Sequence, residues 1–229
     1  MSTEVRQMFS SIATRYDVAN EVLSFGIHRL WRRAAVHHSG AREGSRVLDC
    51  ATGTGDLALA FKRKVGAPGQ VVATDFCPEM LQSAPVKASE AGLAVDFQVA
   101  DAMALPFADA SFDVASIAFG IRNVDDPVKC LKEMARVVKP GGRVVVLEFG
   151  QPRGLFGALF RFYAKGVMPA LGGLLTGNRK AYEYLPRTAA AFPSGERFLA
   201  LMDQARAFHE RVAHPLTFGT SYVYVGTVR

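Results

Sequence analysis

Cysteine is scarce and poorly placed for cross-linking. Cys50, Cys77 and Cys130 are odd in number, far apart and outside any CxxC pair. That excludes a disulfide framework or a zinc ribbon and suits a reducing cytoplasm. An apolar leader is missing as well: "MSTEVRQMFSSIATRYD" has no h-region, so no signal peptide is expected. Long uninterrupted apolar runs are also absent. The richest stretch, "GLFGALFRFYAKGVMPALGGLLTG" (154–177), is broken by Arg161, Lys165 and Pro169, which argues against a spanning helix. There is no internal repeat and no low-complexity linker. His37, His38, His209 and His214 have no metal-ligand spacing. What remains is an ordinary globular composition over 229 residues, half of it apolar, with a net charge of +6. One domain with a full core fits that length. The positive charge favours anionic partners, nucleic acid or lipid headgroups, without choosing between them.

The first forty-odd residues read as polar helices. A strand–helix alternation follows: "SRVLDCA", "QVVATD", "VDFQVAD", "FDVASIAFG" and "GRVVVLEFG" are short buried strands. Between them lie "DLALAFKRKV", "PEMLQSAPVKASEAG", interrupted at Pro85, and "DPVKCLKEMARVVK" as helices. Continuous apolar strands separated by helices predict a parallel sheet covered on both faces. After Gly150 comes a helical insertion, then "SGERFLALMDQARAF" as a helix capped by Ser194. "ERVAHPLTF" and "TSYVYVGTV" close the sheet with an antiparallel pair. The expected architecture is a doubly wound, mostly parallel α/β sheet of seven strands.

"VLDCATGTGD" (47–56) carries the strongest signal. An apolar strand ends in Asp49, a Gly-rich turn follows, and a helix starts near Asp56. Gly53 and Gly55 let the backbone approach a ligand and turn its amides toward it. The next strand ends in Asp75, 20 residues beyond Gly55 (75 − 55), where a carboxylate accepts both hydroxyls of a ribose. The turn also fits G-x-G-x-x-A, a dinucleotide fingerprint, and a ligand-free turn with capping aspartates is a third reading. Three features favour S-adenosylmethionine (SAM). Asp49 precedes the glycines, where it faces a cationic amino group better than a pyrophosphate. Asp101 and Ala102 end the third strand, a carboxylate for an adenine amine and a small neighbour for the ring. The sheet also closes in an antiparallel hairpin.

With "RYDVANEVLSFGIHRLWRR" (15–33), "ALPFADASFD" (104–113), "AFGIRNVDD" (118–126), "RVVKPGGRVVVLEF" (136–149) and "YEYLP" (182–186), the chain resembles the ubiquinone/menaquinone biosynthesis C-methyltransferases. These belong to the class I, Rossmann-like, SAM-dependent enzymes. The resemblance runs from about Ser10 to the end. It implies one domain, with residues 1–44 as a helical lid and 151–190 as a helical insertion facing the acceptor or the membrane. It also implies cofactor contacts at Thr54, Asp75, Asp101 and Ala102. The reaction it implies is methylation of a ring carbon of demethylmenaquinol or of a 2-methoxy-6-polyprenyl-1,4-benzoquinol.

Methyl transfer from a sulfonium to carbon is an in-line displacement with a pre-activated donor, so no metal is required. The protein must align the reactants, stabilise phenolate charge and let a proton leave. Arg122 is expected past the fourth strand, as partner to a phenolate or an ordered water, or in a structural pair with Asp125 or Asp126. Asn123 would fix that water or a ring oxygen, with Gly120 keeping side chains clear of the acceptor. Tyr16 is read as a hydrogen-bonding group or a core tyrosine, and His28 as a proton relay or a packing residue. Trp31 is read as lid packing. A polyprenylated hydroquinone resides in the bilayer, so peripheral membrane contact on the cytoplasmic side enters the reading. Segment 154–168, apolar with Arg161 and Lys165 as a basic stripe, suits an interfacial helix or the wall of a lipid tunnel, and core packing equally. Other readings are a methyltransferase acting on RNA or another small molecule, and a non-catalytic SAM-binding protein. Against RNA stand the scattered basic residues and the lack of a base-methylation motif, so no nucleic-acid partner is expected.

Overall fold

The computed structural model describes residues 3–229, so the first two residues of the expected lid lie outside it. Seven strands form one sheet: β1 (Arg46–Cys50), β2 (Gln70–Asp75), β3 (Asp96–Val99), β4 (Phe112–Ala118), β5 (Val138–Phe149), β6 (Phe208–Leu216) and β7 (Ser221–Val228). Their order is β3-β2-β1-β4-β5-β7-β6. β1 to β5 pair in parallel, and β7 pairs antiparallel to both β5 and β6. The order reverses between β1 and β4, the switch point beyond whose carboxyl ends such sheets bind ligands.

Eleven helices are described: α1 (Thr3–Ile12), α2 (Tyr16–Ser24), α3 (Ile27–His38), α4 (Asp56–Val65), α5 (Pro78–Leu81), α6 (Ala84–Glu90), α7 (Pro127–Val137), α8 (Gly154–Phe162), α9 (Met168–Thr176), α10 (Arg179–Ala191) and α11 (Glu196–Ala205). The predicted interruption at Pro85 is the break between α5 and α6, with Pro85 in the first turn of α6. Asp126 caps α7 by accepting from the Lys129 amide at 2.9 Å. Ser194, however, is not the cap of α11. Gly195 takes that place with φ 60°, and its amide donates to the Tyr224 hydroxyl at 2.7 Å. Glycine is there because few side chains tolerate that backbone. "PGG" is also less of a break than expected, since β5 already pairs with β4 at Val138 and bulges through the glycines.

Two cores flank the sheet. One packs Ile117, Leu131, Met134, Phe198 and Met202 under α7 and α11. The other packs Trp31, Phe61, Val71 and Leu147 under α3 and α4. A third, smaller core stands apart and contains Ile12, Ala19, Leu23, Met168, Ala181 and Tyr182. It joins α1 and α2 to the segment after β5, so the N-terminal helices and the insertion share one apolar interior. A π turn, Tyr163–Val167, links α8 to α9. Core packing does not describe α8. Gly157 is its one buried residue, while Leu155, Leu159 and Phe162 are 80%, 62% and 75% exposed.

Gly172 sets the crossing of α9 and α10, because a Cβ there would lie 2.2 Å from Cγ of Tyr182. Gly172→Ala is therefore expected to push Tyr182 out of the third core and destabilise it by about 1–3 kcal/mol, the usual cost of overpacking. Hydrogen exchange reads this as faster opening of α9 and α10 with the sheet amides unchanged. Uniform protection would show that Tyr182 swings aside freely.

Candidate active site

The Gly-rich turn leaves β1 and bends under the end of β2, where the Thr52 amide donates to the Thr74 carbonyl at 2.9 Å. Asp49, 1% exposed, lies beneath this turn. Its Oδ2 accepts from the Thr52 hydroxyl and its Oδ1 from the Ser116 hydroxyl, each at 2.6 Å. Burial pushes its carboxyl up to about 6 against those two hydrogen bonds. Sequence placed Asp49 toward a cationic amino group. In the structure it braces the turn from below and lies outside the walls of both neighbouring cavities.

Asp75 sits as expected. One oxygen accepts from the Gly53 amide and the other from the Cys77 amide, both at 2.8 Å. Burial raises its pKa against those amides. With Gly53, Asp101, Ala102, Gly120 and Asn123 it lines a first cavity over the switch point. Asp101 accepts from the Met103 amide at 2.9 Å. Thr54 and Gly55 lie outside this wall. The Thr54 hydroxyl instead donates to Asp17 Oδ1 at 2.6 Å. Lys87 reaches Asp17 at 2.8 Å and Asp56 at 2.6 Å, and Arg32 reaches Asp56 at 3.5 Å. This charge cluster fastens α2 and α3 to the first turn of α4. Gly120, besides lining the cavity, allows a close approach of two turns. A Cβ there would lie 2.6 Å from that of Ala51, so the turns after β1 and β4 touch.

A second cavity of about 360 Å³ lies beside the first. Tyr16 and Phe119 line both, so these residues form a wall common to the two. Phe119 holds φ 56° and Ala51 φ 48°, strained conformations of the kind found at functional turns. The second wall is mostly apolar, with Trp31, Phe149, Phe156, Leu159 and Tyr163 among its rings and chains. Into it come Arg122, His28 and Arg32. Trp31 does more than pack the lid: it donates to the Thr217 hydroxyl at 2.8 Å while lining this cavity.

The partner of Arg122 is neither of the aspartates that sequence offered. Its Nη1 donates to Glu148 Oε1 at 2.9 Å and to the Phe119 carbonyl at 2.5 Å, and the two charged side chains are 2% and 1% exposed. The guanidinium lies 5.3 Å from the ring centroid of Phe149. Burial pushes the Glu148 pKa up, and Arg122 pulls it back. Sequence reasoning missed Glu148, although a carboxylate inside the apolar run "VVVLEF" was its signal. His28 Nε2 lies 3.0 Å from Glu21 Oε2. Burial and Arg32 push its pKa down, so near pH 7 the ring is neutral and Nε2 holds the proton that Glu21 accepts. Asn123 Oδ1 accepts from the Tyr184 hydroxyl at 3.1 Å. That ties the "YEYLP" segment to the fourth strand's turn.

The sequence profile of the ubiE/COQ5 methyltransferase family matches residues 1–228. The chain belongs to that family. It is 56% identical to the ubiquinone/menaquinone biosynthesis C-methyltransferase UbiE of Bdellovibrio bacteriovorus, over 98% of this chain and 96% of the other. It is 51% identical to the demethylmenaquinone methyltransferase of Thermus thermophilus, over 96% and 99%. A solved SAM-dependent methyltransferase from Thermotoga maritima, described as a possible histamine N-methyltransferase, superposes with TM-score 0.70. It shares 22% identity and covers 97% and 99% of the two chains. That likeness shows the fold, a class I methyltransferase sheet.

The first cavity fits the donor that this family uses. Asp75 is aligned by two backbone amides, and Asp101 stands beside the small Ala102 at the next strand end. Asp49 contributes from below, and its charge has a cost. With a folded pKa of about 6 against an ordinary 3.8, the native state binds a proton that the unfolded chain lacks between those values. Stability from this group is present at low pH and is lost as pH rises through 6, by on the order of 3 kcal/mol. Asp49→Asn is therefore expected to raise the melting temperature at pH 8 and to change it little at pH 4.5. An equal change at both values would refute the assignment.

Proposed function

We propose that this family member carries the methyl of SAM to a ring carbon of a polyprenylated hydroquinone in respiratory quinone biosynthesis. Demethylmenaquinol giving menaquinol is one acceptor, a 2-methoxy-6-polyprenyl-1,4-benzoquinol another. The observation that carries this reading is the adjacency of the two cavities. The first, with ribose- and adenine-type partners, shares Tyr16 and Phe119 as a common wall with an apolar one that is lined by a buried guanidinium. SAM supplies an electrophilic methyl, so the chain's own residues need only make the acceptor nucleophilic and hold it.

Arg122 does the first, because a hydroquinone becomes electron-rich at carbon as its hydroxyl ionises. A fixed guanidinium in a low-dielectric wall stabilises that oxyanion. Asn123, at the first cavity, holds the Tyr184 hydroxyl and fixes the turn that carries Arg122. Tyr16 stands in the wall common to both cavities and orients either reactant. The neutral ring of His28 is held by Glu21 and serves as a wall and hydrogen-bonding group more readily than as an acid. In this reading α1–α3 form a lid and α8–α10 the acceptor-facing insertion. Closed together over the third core, they exclude water from the methyl path.

Arg122→Ala alone removes the charge and also strands Glu148, which costs about 3–5 kcal/mol for a broken buried pair. Pairing it with Glu148→Gln removes the stranded charge. The double variant is expected to recover its melting temperature yet turn over more slowly by on the order of 10²–10³, the scale of one lost charge-stabilising donor. Single-turnover methyl transfer to short-chain naphthoquinol and benzoquinol acceptors measures both the loss and the preferred ring. Full activity in the double variant would make Arg122 a brace.

The acceptor's isoprenoid tail implies peripheral contact with the inner face of the membrane. Among the described residues no helix is long and apolar enough to cross one. The exposed face of α8 is extended by two aromatic tips, Phe25 and Phe218, which are 77% and 83% exposed. Phe25 lies beside Tyr163 and Phe218 beside Phe156, at the mouth of the second cavity. From 149 to 182 the chain has Arg153, Arg161, Lys165, Arg179 and Lys180 and no acidic residue, which suits anionic headgroups. Arg161→Glu/Lys165→Glu is expected to weaken sedimentation with anionic vesicles at least about ten-fold, given roughly 1 kcal/mol per basic residue near the surface. Phe25→Ser/Phe218→Ser should weaken it further. Vesicle binding equal to the parent in both variants would refute the membrane contact.

A further inference from the structure

The second cavity contains a charge that nothing so far accounts for. Arg32 lies on the face of α3 that also carries His28 and Trp31, at the i, i+3 and i+4 spacing that puts side chains together, and all three line the cavity. Its side chain is 13% exposed. One arm, Nη2, reaches Asp56 Oδ2 at 3.5 Å. The other, Nη1, is buried with no hydrogen-bond partner. Arg122 shows the same pattern: Nη1 is engaged by Glu148, while Nε is buried and unpartnered. Two cations, each with an unpaired donor, therefore line one mostly apolar cavity. A buried donor left unpaired is costly, more so when charged. A guanidinium, unlike a lysine, cannot relieve this by losing its proton. Such donors persist where a ligand completes them.

We propose that Arg32 is a second acceptor-binding residue, holding the ring oxygen at the far end of the hydroquinone from the one that Arg122 holds. This rests on the function proposed above and adds a determinant of acceptor choice. A para-diol has two oxygens on opposite sides of one ring, and two planar donors carried by different elements of one cavity wall match that pattern. Arg122 comes from the turn after β4, whereas Arg32 comes from the N-terminal helices. The ring is thus gripped between the sheet and the lid. A monophenol of the same size would satisfy one cation and leave the other unpaired, so the site selects against it.

Arg32 bears on affinity more than on chemistry, which separates it from Arg122. The chain has one tryptophan, Trp31, and it lines the same cavity. Its fluorescence reports occupancy without turnover. The test titrates the full-length protein with a detergent-dispersed short-chain naphthoquinol, kept reduced, and measures SAM affinity separately by calorimetry. Arg32→Gln is expected to weaken quinol quenching at least about ten-fold, the scale of one lost charged hydrogen bond, with SAM affinity within two-fold of the parent. The matching monophenol should bind parent and variant alike. Arg32→Lys should keep the Asp56 pair and recover part of the loss. Asp56→Asn breaks the ion pair but spares the guanidinium, so it should lower the melting temperature while quinol quenching persists.

Equal quinol quenching in parent and Arg32→Gln would overturn the proposal. So would Asp56→Asn reproducing the acceptor defect, which would make Arg32 a brace. Loss of SAM affinity with quinol binding intact would also overturn it, assigning Arg32 to the donor's carboxylate instead. Failure of the underlying functional reading looks different: the parent itself would show no quenching by any quinol.

Discussion

A guanidinium and a carboxylate, both nearly inaccessible to water, meet at 2.9 Å where β4 and β5 end. Taking both out of water costs more than their attraction in most proteins returns, and well-packed apolar residues would be as stable or more so. The geometry around the pair explains its presence. Arg122 also donates to the carbonyl of Phe119, a residue held at φ 56° that forms part of the wall between donor and acceptor spaces. The ion pair thus holds a strained backbone in place and keeps a cation in the wall of the second cavity. Trp31, Phe119 and Phe149 pack ring against ring around it, keeping the local dielectric low and the charge effective.

The sheet presents this pair, but the cap decides when it is sealed. The third core holds no strand residue, so α1, α2, α9 and α10 are fastened to each other at least as firmly as to the sheet. Their anchorage to the cofactor turn is largely polar, through Asp17, Thr54, Lys87 and Asp56. Partly exposed ion pairs are individually weak, and a segment with its own small core and polar anchorage opens more readily than the global fold. In the proposed reading, reactants enter through such an opening.

The sheet was legible because parallel strands covered on both faces read as apolar runs, and all seven strands overlap the segments expected, although β5 begins earlier, at Val138. That Gly53, Asp75, Asp101 and Ala102 gather around one cavity was legible for a related reason: strand ends at a switch point converge by topology. The hydrogen-bond partners of Asp49 and Thr54 were not legible, because spacing places a residue near a turn without saying which side it faces. Asp49 turned down to Ser116 and Thr54 out to Asp17. Ser194 lost its capping role to a neighbour whose amide is claimed by Tyr224, a partner 29 positions away. Glu148 and Arg32 stayed hidden because their significance lies in tertiary pairing, although a carboxylate in an apolar strand was visible all along.

The acceptor proposed above, with a polar ring and a long apolar tail, sets two demands, and in that reading one surface satisfies both. The tail needs an apolar corridor open to lipid, and the ring oxygens need fixed charge. In water, a guanidinium would be a weak partner for a phenolate, and each would prefer its own hydration shell. Within walls of Phe119, Phe149, Phe156 and Leu159 neither has that alternative, so the charges interact across a low dielectric. The same side chains that make the mouth greasy enough for an isoprenoid therefore strengthen the electrostatics at its inner end. Making the walls more polar would admit water, lengthen the screened distance between charge and ring, and weaken binding and activation together. Acceptor reach and acceptor activation are one property of this cavity.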